Sequence, residues 1–256
     1  ELYGDRTVLE TLPTQWSRDL VPVAIQVSEP LLELLGDHAE SPFFFEQARY
    51  YFPAEAGEAL TLPFIVYPDH TLDGHWTLAN AETGEVVGQG DISRQQDERA
   101  QVRLQIQRKG LYMLDAGTDY QKGGRLEFDR RPQAVEASPE SQFMALYPRT
   151  PTLDQPLYFF VPRDTGMFVV RIHANTSHES DVRLYGPDGR LVAEHLKLVT
   201  GSDLSVPMDV PVTVPAGADN GIWAFTVSRS PRATIQLRGV PPFVARHPQE
   251  LLTPRE

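Results

Sequence analysis

Residues 157–198 decide the fold class of this chain. They open with LYFFVP (157–162) and FVVRIHA (168–174), and continue with DVRLY (181–185), GPDG (186–189) and RLVA (190–193). Polar and apolar residues alternate in DVRLY, which places successive side chains on opposite faces of an extended strand. The Gly, Pro, Asp and Asn residues between these runs are typical of tight turns. The stretch therefore predicts antiparallel strands joined by turns.

A rougher copy of this stretch occurs earlier in the chain. YYFP (50–53) resembles FFVP (159–162), AETGEVV (81–87) resembles GPDGRLV (186–192), and KGLY (109–112) resembles NGIW (220–223). The order of the matches is kept, and the period of roughly 105–110 residues is the length of one domain. The pattern predicts an internal duplication in tandem.

We therefore expect an all-β protein with two tandem antiparallel β-sandwich domains, jelly-roll-like, and a short N-terminal helix. In the helix, Ser28 would be the N-cap, Pro30 would lie in the first turn and Gly36 would end the apolar leucine stripe. The predicted divisions are a lead-in segment at 1–41, a first β-sandwich at 42–130, a linker at 131–156, a second β-sandwich at 157–240 and a loosely packed tail at 241–256. Predicted strands of the first sandwich are 43–52, 59–67, 75–80, 85–90, 100–107, 111–116 and 125–128.

The composition excludes several classes of function. The formal net charge of −12 argues against nucleic-acid binding and against adhesion to anionic membranes. The chain has no cysteine, which excludes disulfides, thiolate zinc sites and thiol nucleophiles. No apolar run approaches the length that spans a bilayer, so we expect no membrane insertion. The chain begins at Glu1 without Met, and we expect a processed piece of a larger secreted or periplasmic protein.

The second half resembles the pre-peptidase C-terminal domain family and, more broadly, galactose-binding-like jelly rolls. The resemblance is carried by YFFVP (158–162), DVRLYGPDG (181–189) and NGIWAFTV (220–227), and it covers about residues 150–240. It extends more weakly to 42–130, and residues 198–215 depart from the family pattern. The resemblance implies a non-catalytic module appended to a secreted hydrolase.

Jelly rolls of this kind often carry a structural calcium ion held by loop oxygens. The resemblance thus implies calcium as the favoured metal, with Asp203, Asp209 and Asp219 in the Gly- and Pro-rich loops as candidate ligands. His70 and His75 are close in sequence, but their spacing favours an ordinary surface loop over a zinc site. The chain has no Gly-x-Ser-x-Gly elbow and no phosphate-binding loop, and we expect it to be no enzyme.

A sugar-binding surface needs exposed aromatic rings beside planar polar groups. Trp76 and Trp223 alternate with apolar neighbours, so we predict that both lie in the core. Tyr67 and His70 lie at a turn, and Tyr120 lies in a polar loop. These three residues are the candidate carbohydrate-binding residues.

Three hypotheses for function remain open at this stage. The leading one is a non-catalytic accessory module of a secreted polysaccharide-processing protein, binding or positioning carbohydrate beside a catalytic domain of the same parent. The second is a structural or protein-interaction C-terminal module of a secreted protease. The third is a hydrolase with a pair of carboxylates, because 35 Asp and Glu residues allow many such pairs.

Overall fold

The computed structural model describes residues 11–13, 15–35, 44–45, 47–66, 73–93, 99–118, 124–126, 134–137, 144–146, 156–174, 179–199, 208–228 and 232–255. Most of these residues form β-strands, and they also include a short α-helix and a 3-10 turn. Every strand pairing among them is antiparallel. The all-β prediction is confirmed.

The elements of the N-terminal half follow the predicted order. They are β1 (Leu20–Pro22), α1 (Glu29–Leu35), β2 (Phe44–Phe45), β3 (Gln47–Ala54), β4 (Ala59–Val66), β5 (Asp73–Asn80), β6 (Val86–Ser93), β7 (Arg99–Gln105), β8 (Gly110–Thr118), β9 (Gly124–Leu126) and β10 (Ala134–Glu136). The strands of the first predicted sandwich agree with these bounds to within a few residues.

The C-terminal half repeats this arrangement. Its elements are β11 (Met144–Leu146), β12 (Pro156–Val161), β13 (Met167–Ala174), β14 (Glu179–Tyr185), β15 (Leu191–Val199), β16 (Met208–Thr213), β17 (Gly221–Ser228), β18 (Arg232–Arg238), β19 (Phe243–Ala245), a 3-10 turn (Pro248–Glu250) and β20 (Leu252–Pro254). We call β2–β10 the first unit and β11–β19 the second unit.

One ten-stranded sheet runs through both units in the order β15-β14-β17-β12-β19-β10-β3-β8-β5-β6. A second layer consists of a five-stranded sheet, β16-β13-β18-β11-β2, and a three-stranded sheet, β7-β4-β9. One continuous apolar cluster contains buried residues of both units, among them Phe52, Leu114, Phe159 and Trp223. Trp76 and Trp223 are both buried, as predicted.

The topology confirms the internal duplication. Read from the outer edge inward, the first half of the ten-stranded sheet has the strand order β6-β5-β8-β3-β10. The other half, read in the same way, has the equivalent strands in the same order, β15-β14-β17-β12-β19. Both units have a register shift at the same place, after Leu78 in β5 and after Leu184 in β14. The turn that follows uses a glycine with positive φ in each unit, Gly84 at 72° and Gly189 at 78°.

The pairing register corrects one of the sequence matches. Phe52 lies opposite Tyr112, and Phe159 lies opposite Trp223. Phe52 is therefore equivalent to Phe159, whereas the sequence match set it against Val161. The shift is two residues, so it keeps every side chain on the same face of the strand. Buried aromatic residues at several consecutive positions made both alignments plausible from the sequence.

Equivalent strands of the two units pair with each other at the centre of the molecule. β10 pairs with β19, with Val135 opposite Val244, and β2 pairs with β11 in the second layer. The two units are thus related by an approximate two-fold axis. Pairing of the inner edges satisfies backbone groups that an isolated edge strand would leave open.

Residues 131–156 and 241–256 differ from the expected linker and loose tail. The first segment supplies β10 and β11, and the second supplies β19 and β20. Residues of the second segment are buried, including Phe243, Val244, Leu251 and Leu252. The sequence predicted loosely packed segments because Pro and charged residues flank these very short strands. The strands form because they pair with strands that are distant in sequence.

Candidate functional site

The first unit has two dissimilar ends. At one end, short turns join β3 to β4, β5 to β6 and β7 to β8. At the other end, which we call the loop end, the connections span residues 67–72, 94–98 and 119–123. Val66 pairs with Gly124, Gly74 pairs with Thr118, and Asp73 pairs with Ser93. The strand ends that flank these three connections are therefore neighbours in the sheets.

The predicted carbohydrate-binding residues fall in these connections. Tyr67, His70 and Tyr120 themselves lie outside the described residues. Val66 and Gly124, which flank two of the connections, are paired neighbours in the sheet. The chain thus leaves the described fold toward Tyr67 and Tyr120 at the same end of the same unit.

The predicted calcium ligands are not brought together where they are described. Both oxygens of Asp209 accept hydrogen bonds from Arg171, from Nε at 2.6 Å and from Nη2 at 2.7 Å. Asp219 Oδ2 accepts a hydrogen bond from the backbone N–H of Asp164 at 2.9 Å. Asp203 lies outside the described residues.

The two aspartates also lie at different heights along the second unit. Asp219 lies beside the β12–β13 turn, next to the end of β16 at Thr213. Asp209 is four residues before that end, which is about 13 Å along a strand. Among the described residues no three Asp, Glu, His or Cys side chains form a group that could hold a metal. Calcium binding stays a prediction.

Arg171 and Asp209 lie in a polar row across the five-stranded sheet. Gln236 is the register partner of Arg171 on the neighbouring strand, so carboxylate, guanidinium and amide follow one another on three strands. The hydrogen bonds and charge of Asp209 raise the pKa of Arg171 although its partial burial lowers it. The bidentate pair holds the guanidinium in one plane.

A second polar cluster, which the sequence did not reveal, lies beside the approximate two-fold axis. Glu136 in β10 is buried, and its Oε2 accepts a hydrogen bond from the Tyr51 hydroxyl at 2.8 Å. Arg49 Nη1 donates to Glu136 Oε1 at 3.4 Å, and Arg49 Nε donates to Asp115 at 3.0 Å. Burial lowers the pKa of Arg49, but the hydrogen bond that Arg49 donates to Asp115 and the charges of Glu136 and Asp115 raise it on balance.

Buried tyrosines make the fold sensitive to alkaline pH. Burial raises the pKa of Tyr158 from 10.0 to about 12, and burial also raises the pKa of Tyr50 and Tyr51. The unfolded chain therefore loses these protons first as the pH rises above 10.0. We expect the free energy of unfolding to fall steadily between pH 10 and about 12, by at most about 1.4 kcal/mol per pH unit for each such tyrosine.

Urea unfolding at a series of alkaline pH values measures this effect. Tyr158→Phe removes one titrating group, so its stability should decline less steeply with pH than that of the parent. A free energy of unfolding that stays level from pH 9 to 12 would contradict the assignment.

No family model matches the chain, and no curated protein matches it. Among solved structures, it is similar to the M60 catalytic domain with the CBM51-1 and CBM51-2 domains of Clostridium perfringens ZmpB, at 9% identity and a TM-score of 0.25, covering 77% of this chain and 34% of that one.

Two further solved structures are similar at the same level. One is the isomalto-dextranase of Arthrobacter globiformis T6 in complex with panose, at 11% identity and a TM-score of 0.25, covering 78% of this chain and 34% of that one. The other is the N-terminal CBM22 tandem domain from Paenibacillus barcinonensis, at 9% identity and a TM-score of 0.22, covering 76% and 82%. This chain spans about a third of the first two proteins.

Within the described residues, no helix is long and apolar enough to cross a membrane.

Proposed function

We propose that the chain is a non-catalytic accessory module of a secreted polysaccharide-processing protein. In this proposal it binds or positions carbohydrate at the loop end of the first unit. One observation carries the proposal: the strand ends that flank Tyr67, His70 and Tyr120 are neighbours in the sheets. The adjacency of these strand ends supports a common site for residues that are far apart in sequence.

The chemistry of these residue types suits a sugar. A tyrosine ring offers an apolar face for the C–H groups of a pyranose, and its hydroxyl offers a donor and an acceptor. The indole rings of Trp76 and Trp223 are buried in the sandwich core, whereas Trp16 in the lead-in segment is only partly buried. Within the first unit, aromatic contact with a glycan would therefore use the loops.

The rest of the proposal concerns the setting. A catalytic domain of the same parent protein would act on the polysaccharide that this module holds, in a secreted or periplasmic location. The net charge of −12 is compatible with a neutral glycan and unfavourable for nucleic acid. A structural calcium ion in the second unit, with Asp203 as a ligand, is part of the same proposal.

Affinity electrophoresis against a panel of neutral polysaccharides tests the binding role. We expect retardation on at least one glycan, and we expect Tyr120→Ala and His70→Ala to weaken the apparent affinity about tenfold each, the usual scale for losing an anchoring contact. His195→Ala is the control for His70, because His195 lies on β15 in the second unit. Migration unaffected by every glycan, or equal losses for His70 and His195, would refute the proposal.

A further inference from the structure

The outer face of the ten-stranded sheet carries a row of polar side chains in the first unit. Gln89 of β6 is the register partner of Thr77 of β5, and Thr77 is the register partner of Asp115 of β8. The neighbours of Thr77 in β5, Trp76 and Leu78, are buried in the sandwich core, so Thr77 points to the opposite face. Amide, hydroxyl and carboxylate groups therefore follow one another on three adjacent strands, about 4.8 Å apart.

A second polar row on the same face lies nearer the loop end. Asp91 of β6 and Gly117 of β8 are both register partners of His75 of β5. Gly117 is next to Thr118, where β8 ends and the 119–123 connection begins. The polar side chains of the two rows, which we call the polar array, are those of His75, Thr77, Gln89, Asp91 and Asp115. The array thus starts directly beside the connections of the loop end.

The polar array is open to a ligand. His75, Gln89 and Asp91 are exposed, and the Asp115 side chain is 36% exposed. Within the described part of the chain, the side chains of the array other than Asp115 make no hydrogen bond or ion pair. Arg49 Nε donates to Asp115 Oδ2 at 3.0 Å, which holds the carboxylate in one orientation and leaves Oδ1 for a donor from outside.

The second unit closes the equivalent face. Its row at the positions of Gln89, Thr77 and Asp115 consists of Glu194, Arg183 and Thr226. Arg183 Nε donates a hydrogen bond to Glu194 Oε1 at 2.8 Å, so these two side chains satisfy each other. Thr226 is 2% exposed, and Asp181, at the position of His75, is 5% exposed. Because the two units share one fold, the open array of the first unit is not a requirement of the sandwich.

We propose that the polar array extends the carbohydrate site of the loop end and binds the same neutral glycan, a proposal that rests on the carbohydrate-binding function. Each sugar hydroxyl both donates and accepts hydrogen bonds. The array meets it with an amide, a hydroxyl, an imidazole and two carboxylates. Strands hold these groups in fixed positions more firmly than loops do, so the array would set the orientation of the glycan chain.

Charge restricts the ligand to uncharged sugars. Asp91 and Asp115 make the array acidic. The cation beside the array, Arg49, is already shared between Asp115 and Glu136. A glycan with carboxylate groups would meet like charges on the array and would gain no new countercharge there. We therefore expect binding of a neutral glycan and rejection of its acidic form.

Affinity electrophoresis of the full chain in dextran, galactan, mannan and xylan, each also in carboxymethylated form, tests the proposal. We expect retardation in at least one neutral glycan and none in its carboxymethylated form. Thr77→Val and Gln89→Ala should each weaken the apparent affinity about fivefold, the scale of losing one hydrogen bond. Both side chains lack partners within the described part of the chain, so both variants should unfold at the same urea concentration as the parent.

Glu194→Ala is the matched control, because Glu194 has the position of Gln89 in the second unit. It should leave the retardation unchanged. If Tyr120→Ala weakens retardation while Thr77→Val and Gln89→Ala do not, the loop end binds alone, so the array proposal is overturned and the carbohydrate-binding function stands. Retardation in none of the neutral glycans would overturn both. Equal retardation in a glycan and its carboxymethylated form would overturn the selection by charge.

Discussion

Trp223→Ala is expected to lower the free energy of unfolding by about 3–5 kcal/mol, the range for truncating a large aromatic residue in a core. Trp223 is fully buried, and its ring is 5.3 Å from that of Phe168 in an edge-to-face contact and 6.5 Å from that of Phe159. The neighbours belong to both layers of the second unit. They cannot close the cavity without moving whole strands, so most of the loss should persist.

The measurement is urea unfolding at equilibrium, with conservative variants as references. Trp223 Nε1 donates to the Ala218 carbonyl at 2.9 Å, and at the equivalent place in the first unit the Tyr112 hydroxyl donates to the Arg108 carbonyl at 2.6 Å. Tyr112→Phe deletes only the hydrogen bond and should cost about 1 kcal/mol. Trp223→Phe keeps an aromatic ring and should fall between the two. Equal losses for Trp223→Ala and Trp223→Phe would show that the core refills the space.

Local patterning was sufficient to predict the strands and their turns. Alternation in residues 181–185 predicted β14, and Asp188-Gly189 predicted a turn that the structure has, with a positive φ at Gly189. The two tryptophans were correctly assigned to the core. Each of these features depends either on residues that are close in sequence or on the burial of large apolar side chains. Both can be read from a single sequence.

The association of the two units was beyond the sequence. β10 and β19 have three residues each, too few for a periodic signal, and their pairing joins residues more than a hundred positions apart. Residues 241–245, which contain β19, are all buried at this pairing. Short strands of this kind are specified by the edges they meet, and those edges exist only after the units fold.

The candidate sites show the same limit. The sequence could propose Tyr67, His70 and Tyr120 from loop composition, and the register shows that the flanking strand ends are adjacent. The ionic cluster went unnoticed because Arg49 and Glu136 are 87 residues apart. A charged residue inside the aromatic run QARYYF was the one available signal, since a buried strand rarely keeps an arginine without an acidic partner.

Arg49→Met is expected to destabilise the fold by about 3 kcal/mol, the scale for removing one partner of a buried ion pair. The Glu136 side chain is 7% exposed. Without the Arg49 guanidinium, its carboxylate keeps the hydrogen bond from the Tyr51 hydroxyl but loses the positive charge of Arg49. Methionine preserves most of the aliphatic stem, so the loss should reflect charge more than volume. Lys109→Met is the matched control, because Lys109 pairs with Glu55 on the surface and should change stability by less than about 0.5 kcal/mol.

A double-mutant cycle with Glu136→Gln separates the charge from the packing. Once Glu136 is neutral, Arg49→Met leaves no buried charge behind, so its cost in that background should fall by about 1–3 kcal/mol. Urea unfolding of the parent, both single variants and the double variant at neutral pH gives the coupling. Additive losses would mean that Arg49 stabilises the two-fold region through its stem and its contact with Asp115. In that case Glu136 would be held by its other neighbours, and the junction between the units would depend on apolar packing around Tyr51 and Phe243, whose rings meet edge to face at 5.4 Å.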